Sequence, residues 1–293
     1  MQRRVKFDFE VDFSNGGGMQ GQGFRLDIPG DDISDQQLAD LIVKDMRLLM
    51  VGAVRIRRKE IIAEPHKRGS ASITVDLSHT IYDGLVTYKG LPAPIICDYL
   101  SREASRERYA PGTEFQIGKI EMVANTGTYI DCPFHRYADG KDLSEVGLEA
   151  FADLEGVLIR ADYRKGIAIT AEAFKGVDVS NKAVLVNTGW AERWATDAYF
   201  EANAFLTEEA AIYLRDHGAR LVGIDSLNVD DTRGKDRPVH TTLLRAEVLV
   251  VEHLCNLESV PERGFSFSAI PPKFKGVGTF PVRAFARLEA SPG

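Results

Sequence analysis

Two stretches of this 293-residue chain concentrate side chains able to move protons or hold a cation. The first is Asn125-Thr126-Gly127-Thr128-Tyr129-Ile130-Asp131-Cys132-Pro133-Phe134-His135. An extended backbone puts Tyr129 and Asp131 on one face. Pro133 then interrupts the strand ladder, so His135 can swing back toward that face. An aspartate and a histidine converging from a strand end suit a metal or an acid–base site. The second stretch runs from His240 to Glu252, with Glu252 inside Val248-Leu249-Val250-Val251-Glu252-His253-Leu254. A glutamate in so apolar a strand is costly to bury unless it is paired, protonated or bound to a cation. Between them lies Asp225-Ser226-Leu227-Asn228-Val229-Asp230-Asp231, which reads first as an Asp-rich turn. It follows an apolar run, however, and loops at the carboxyl ends of strands often line sites in α/β proteins.

Such residues need strands and helices to hold them. From Ser72 onward strand-like runs recur at Ile73–Leu77, Gln116–Val123, Gly156–Asp162, Lys182–Asn187, Arg220–Ile224 and Glu247–Glu252. A helix is predicted over Thr207–His217, with Thr207 as N-cap, Ala210, Ala211 and Leu214 on one stripe, and Gly218 as the stop. Its immediate step into Leu221–Ile224 is of the α/β kind. Residues 70–293 therefore read as one α/β domain around a mixed, barrel-like sheet. Residues 1–69 read as a separate β-β-α-β module closed by a linker from Pro65 to Ser70. Val5, Phe7, Phe9, Val11 and Phe13 alternate as in a half-buried strand, and Gly23–Ile28 is a second. Ser34 and Gln37 form a capping-box signature for a helix carrying Leu38, Leu41, Ile42, Met46 and Leu49 and ending near Gly52. Val54–Ile62 is a third strand, and its Arg55, Arg57, Arg58 and Lys59 read as a solvated face. So small a core is expected to lean on a neighbouring subunit.

Composition narrows the function classes. With 36 Lys+Arg against 43 Asp+Glu and a net charge of −7, the chain lacks the basic footprint of a nucleic-acid binder. No apolar run approaches the ~20 residues of a membrane span. The start, MQRRVKFDFEVDF, has no apolar signal core, so the expectation is a cytoplasmic protein. Cys97, Cys132 and Cys255 show no metal-type pairing and fit reduced thiols. Phe134, Tyr137, Trp190 and Trp194 read as core more readily than as an aryl pocket.

Asp76-Leu77-Ser78-His79-Thr80-Ile81, followed by Tyr88-Lys89-Gly90, resembles the opening of the cyclase family, which includes bacterial kynurenine formamidase and isatin hydrolase. The family hallmark H-x-G-T-H-x-D-x-P-x-H is matched in register by Asn125-x-Gly-Thr-Tyr129-x-Asp131-x-Pro133-x-His135. Thr188-Gly189-Trp190, the unit Leu206–Asp225 and the spacing of His240 to Glu252 also agree with the family pattern. The resemblance runs from Ile73 to Arg287 and implies a swivelling β/β/α fold, a small-molecule substrate and a homo-oligomer, dimer or tetramer. In the family the two leading histidines and the aspartate hold catalytic zinc or manganese. Here those histidines are Asn125 and Tyr129, whose side chains are poor replacements for imidazole. The retained Asp131, His135, His240 and Glu252 suit one Zn or Mn ion.

Three accounts follow from this departure. One ion sits on the retained set; or the protein works without metal, with His135 and His240 as acid and base and Tyr129 and Asn125 donating to an oxyanion; or catalysis is lost. The activity the resemblance implies is hydrolysis of an amide or lactam C–N bond by activated water, as in an arylformamidase. The alternatives are a metal-independent lactonase, dehydratase or cyclising enzyme on the same scaffold, or a small-molecule-binding protein.

Overall fold

The computed structural model describes residues 3–28, 30–63 and 73–288, so the linker expected from Pro65 to Ser70 lies outside the described residues. The chain forms two compact units, one on each side of that segment. In the first, β1 (Arg3–Phe13), β2 (Gly18–Asp27), α1 (Asp35–Asp45) and β3 (Val51–Ala63) build an antiparallel sheet of order β2-β1-β3 with one helix. Val5, Phe7, Phe9 and Val11 are buried together with Leu38 and Ile42 of α1. Both capping-box bonds are made: Gln37 N–H donates to Ser34 Oγ at 3.2 Å, and Ser34 N–H to Gln37 Oε1 at 3.0 Å. The helix stops earlier than the apolar spacing predicts, because Arg47 and Met50 take left-handed φ of 50° and 59°. Leu49 is left exposed. The basic stretch of β3 is also more than a solvated face. Arg55 pairs with Asp12 at 2.6 Å, Arg57 with Glu10 at 2.6 Å, and Lys59 with Asp35 at 2.7 Å. Glu10 and Asp12 alternate with the buried residues of β1 and stand opposite Arg55 and Ala53, so Arg55 and Arg57 reach them as diagonal neighbours across the ladder, while Asp35 comes from α1.

The second unit runs through β4 (Ile73–Asp76), β5 (Ile95–Leu100), α2 (Arg102–Arg106), β6 (Ile117–Glu121), β7 (Tyr129–Asp131), β8 (Leu154–Arg160), β9 (Ala168–Ile169), β10 (Ala183–Asn187), β11 (Phe205–Leu206), α3 (Glu208–Asp216), β12 (Leu221–Ile224), α4 (Pro238–Arg245), β13 (Leu249–Glu252), β14 (Phe265–Ser268), β15 (Thr279–Pro281) and β16 (Phe285–Leu288). Its main sheet has nine strands in the order β15-β7-β13-β12-β10-β8-β14-β16-β4. The central β13, β12, β10 and β8 are parallel, and the flanking pairs are antiparallel. The fold is thus α/β around one mixed, curled sheet. Strand alternation separates two apolar layers. Val184, Val186, Val222, Ile224 and Val250 face α3 and α4, whereas Ala183, Leu185, Leu221, Leu249 and Val251 face Ile130, Phe265 and Phe267. Helix α3 begins where expected: Thr207 Oγ1 accepts the Ala210 N–H at 3.3 Å, and Gly218, at φ 77°, follows the last turn. No helix of the described residues is long and apolar enough to cross a membrane.

Candidate active site

Strand β7 lies between β15 and β13, with Tyr129 opposite Glu252 and Asp131 opposite Val250. Tyr129, Asp131 and Glu252 therefore share the sheet face that α4 covers. Past Asp131 the backbone leaves the ladder in a single 3-10 turn, Pro133–His135. That turn brings the His135 ring to 3.7 Å from Asp131 Oδ1. The residue before β15 permits it: a Cβ on Gly278 would stand 2.2 Å from the His135 amide nitrogen and 2.5 Å from its Cα.

Asp131 is wholly buried. Its Oδ1 accepts a hydrogen bond from Thr279 Oγ1, while its Oδ2 has no hydrogen-bond partner. A carboxylate only accepts, so the Thr279 proton points at Asp131. The Thr279 oxygen, 2.6 Å from His135 Nδ1, must then accept the ring N–H. This leaves His135 Nε2 as that ring's free lone pair. His240, in the first turn of α4, is fixed in the same way by Asp230. Asp230 Oδ2 takes the His240 Nδ1–H at 2.6 Å and the His240 backbone N–H at 3.1 Å, and its Oδ1 takes the Val239 N–H at 2.7 Å. His240 Nε2 then faces Asp131 Oδ2 at 3.5 Å and Glu252 Oε1 at 3.6 Å. One ligand atom each from Asp131, His135 and His240 lies within 4.8 Å of the others.

Glu252 stands beside this trio with both oxygens engaged. Oε1 accepts the Val229 N–H at 2.7 Å; Oε2 accepts the Tyr129 hydroxyl at 2.6 Å and the Asn228 amide at 3.4 Å. Asn125 in turn donates to the Tyr129 hydroxyl oxygen. The two residues that replace the motif histidines thus form a chain of donors ending on Glu252, and the phenol proton lies there, not on an open subsite.

The charges act on one another strongly. Burial alone would lower the His240 pKa, but the Glu252, Asp131 and Asp230 carboxylates reverse this and hold it up at about 10. Burial raises Glu252 to about 7 against the pull of His240. Burial also opposes ionisation of Asp131, yet the His135 and His240 rings keep that carboxyl below its ordinary range. Tyr129 is pushed well above the usual phenol range by burial and then by the Glu252 and Asp131 charges.

A buried carboxylate oxygen without a donor is expensive. A divalent cation would answer it, and one carboxylate with two imidazoles is a sound donor set for zinc or manganese. The Asp230–His240 pair is the outer-shell partner such a ligand ordinarily has. The site opens into a cavity of about 470 Å³ whose lining includes Tyr88, Lys89, Asn125, Tyr129, Arg136 and Arg237. Phe134, Tyr137, Trp190 and Trp194 pack into the apolar layers and do not line it. A larger cavity of about 750 Å³ opens at the carboxyl ends of β8, β10 and β12. There Asp225, raised to about 6 by burial, clamps Thr188 and Gly189, and among the described residues no cluster of metal-ligating atoms gathers in this cavity.

All six residues singled out from the sequence, Asn125, Tyr129, Asp131, His135, His240 and Glu252, line this one region. Asp230, Thr279, Asn228 and Arg237 belong to it too and were missed. Asp230 lay within a stretch that reads as a turn. Its signals were the place of that stretch after an apolar run and the proximity of Pro238, which marks a helix N-terminus that an acid can cap.

The Cyclase family model matches residues 75–231. Kynurenine formamidase of Geobacillus thermodenitrificans is 29% identical over 185 residues, which cover 62% of this chain and 85% of that protein. Isatin hydrolase A of Labrenzia aggregata shares the fold, with a TM-score of 0.63 at 23% identity over 75% of this chain and 95% of its own. A structure described as a potential metal-dependent hydrolase with cyclase activity gives a TM-score of 0.61 at 28% identity, covering 76% of this chain and all of the other. The chain belongs to the cyclase family, with Asn125 and Tyr129 in place of two of the motif histidines.

Proposed function

We propose that this protein is a hydrolase that cleaves an amide or lactam C–N bond of a small molecule with activated water. The observation that carries the reading is the convergence of the buried Asp131 carboxylate with His135 and His240, one ligand atom of each within 4.8 Å of the others, with Glu252 alongside. Asp131, His135 and His240 would hold one zinc or manganese ion, which supplies acidity to a water and polarises a carbonyl. Glu252 is the general base. Burial raises its pKa above the ordinary carboxylate value, which makes it a stronger base for taking up and returning a proton. It takes the proton of the attacking water and delivers it to the leaving nitrogen as the C–N bond breaks. Tyr129 and Asn125 position Glu252, while Asp230 and Thr279 set the tautomers of the two imidazoles. Because Asn125 and Tyr129 are committed to each other and to Glu252, they offer no ligand atoms to a second ion. The names of the relatives support the C–N chemistry, and a homo-oligomer in the cytoplasm completes the proposal. The high pKa of His240 favours a second reading, in which an ion-free site uses His240 as general acid.

The test is hydrolysis of N-formyl aryl amines, lactams and small lactones by protein grown with added metal and analysed for bound elements. One equivalent of ion and cleavage of at least one amide are expected. Glu252→Gln and His240→Ala should each lower turnover at least ~100-fold. Two equivalents of ion, or wild-type rates in both variants, would overturn the mechanism. No ion, with activity retained, would select the second reading.

A further inference from the structure

The cavity above the Asp131–His240 cluster has a cationic rim made by Lys89, Arg136 and Arg237. Lys89 is answered by Asp197 at 3.3 Å. Among the described residues, neither Arg136 nor Arg237 has a carboxylate within ion-pair distance, although acids outnumber bases in this chain. Neighbouring arginines are different: Arg233 pairs with Asp231 at 2.7 Å and Arg245 with Asp139 at 3.2 Å. Arg237 is half-buried and held in place by neutral groups. Its Nη1 donates to the carbonyls of Asp236 at 2.7 Å, Gly234 at 3.0 Å and Asp231 at 3.5 Å. It also donates to the Tyr88 hydroxyl, whose own proton stays available on the cavity wall. Arg136 makes one bond, from Nε to Thr241 Oγ1 at 3.3 Å. Each guanidinium carries five donors, so both keep several for a ligand.

Resting on the hydrolase reading above, we propose that Arg237 and Arg136, with the Tyr88 hydroxyl, form an anion subsite that selects substrates bearing a carboxylate a few bonds from the scissile C–N bond. A fixed guanidinium with no carboxylate in direct ion-pair contact recognises a carboxylate by paired, charge-assisted hydrogen bonds. The competing role for the same arginines is a general offset of the negative floor formed by Asp131, Asp230 and Glu252. That role would favour every substrate alike.

The experiment compares formanilide with its ring-carboxylated analogues on the metal-loaded enzyme. Wild type should prefer at least one carboxylated analogue by about 10- to 100-fold in kcat/KM, the range of one or two charged hydrogen bonds. Arg237→Gln should erase the preference by raising KM for the carboxylated amide about 10- to 100-fold more than for formanilide, and Arg237→Lys should restore part of it. Equal wild-type rates on charged and neutral amides, or equal losses on both in Arg237→Gln, would overturn the subsite. Calorimetric binding of benzoate and of benzyl alcohol separates this proposal from the hydrolase reading. If no amide is cleaved yet benzoate binds wild type and not Arg237→Gln, the subsite stands and the hydrolase reading falls. Benzoate binding equally to both proteins overturns the subsite. Should Arg237→Gln fail to fold, Arg136→Gln, at an exposed position, decides by the same selective loss or its absence.

Discussion

Replacing Asp230 by asparagine tests the tautomer argument most directly. The Asp230 carboxylate accepts three hydrogen bonds, one from the His240 ring and two from the first turn of α4. Asparagine keeps one oxygen, which can still serve Val239, and puts an NH2 group where two N–H donors of His240 now point. The ring, doubly protonated without the ion, can adapt only by giving up its Nδ1 proton, so that Nδ1 accepts from the new amide. That tautomer aims an N–H at Asp131 and Glu252 and withdraws the lone pair an ion needs. Losing bonds to a charged acceptor costs about 1.5–3 kcal/mol each in a buried setting. The ion-free variant should therefore unfold at lower urea by about 2–4 kcal/mol, after allowance for ring adaptation. Loss of an outer-shell carboxylate lowers ion affinity by about 10- to 100-fold, or 1.4–2.8 kcal/mol. Urea unfolding in the presence of chelator measures the first quantity, and competition with a chromophoric chelator measures the second. Wild-type ion affinity in folded Asp230→Asn would refute the claim that Asp230 sets the His240 tautomer.

Gly278→Ala should displace the His135 backbone, since no rotamer of alanine relieves a 2.2 Å contact with a main-chain atom; loss of ion binding with the secondary structure intact by circular dichroism is expected. Burial holds the His79 imidazole, stacked on Trp194 at 3.9 Å, down at about 4 from 6.5. Its neutral form is fully stabilising above about 6.5, and that contribution is lost as pH falls toward 4. By pH 5 the wild type should give up about 2 kcal/mol that His79→Phe does not, read by urea unfolding at pH 7 and pH 5. In the small N-terminal unit, Phe9→Ala removes about 3–5 kcal/mol from a core that cannot spare it, and limited proteolysis should then cut within β1.

Much of the scaffold is readable from local chemistry. The capping box at Ser34, the Thr207 cap and the Gly218 stop each act within a few residues, and the strand alternation of Val5 to Val11 reports one buried face. The end of α1 was misplaced because left-handed Arg47 and Met50 are not residue types that announce that conformation. Asp131, His135, His240 and Glu252 were legible as residue types with suggestive spacing. Their partners were not. Thr279 is an ordinary strand threonine until β15 is laid against β7. Asp230 is a turn aspartate until α4 starts above it, and Arg237 is a charged loop residue until the acids that might pair with it prove to be elsewhere. Each depends on which distant strand lies alongside, and no local pattern carries that information.

The position of β7 has a consequence for how the protein matures. The Asp131 carboxylate accepts the hydroxyl of Thr279, 148 residues later, and the His135 tautomer depends on the same hydroxyl. A chain still emerging from the ribosome, or a folding intermediate with β15 undocked, carries the ligands without the group that orients them. Contacts this distant form late, after the loops between them have closed. Under the proposed function, ion capture should therefore follow completion of the sheet instead of nucleating it, the reverse of a small zinc module whose folding waits for its metal.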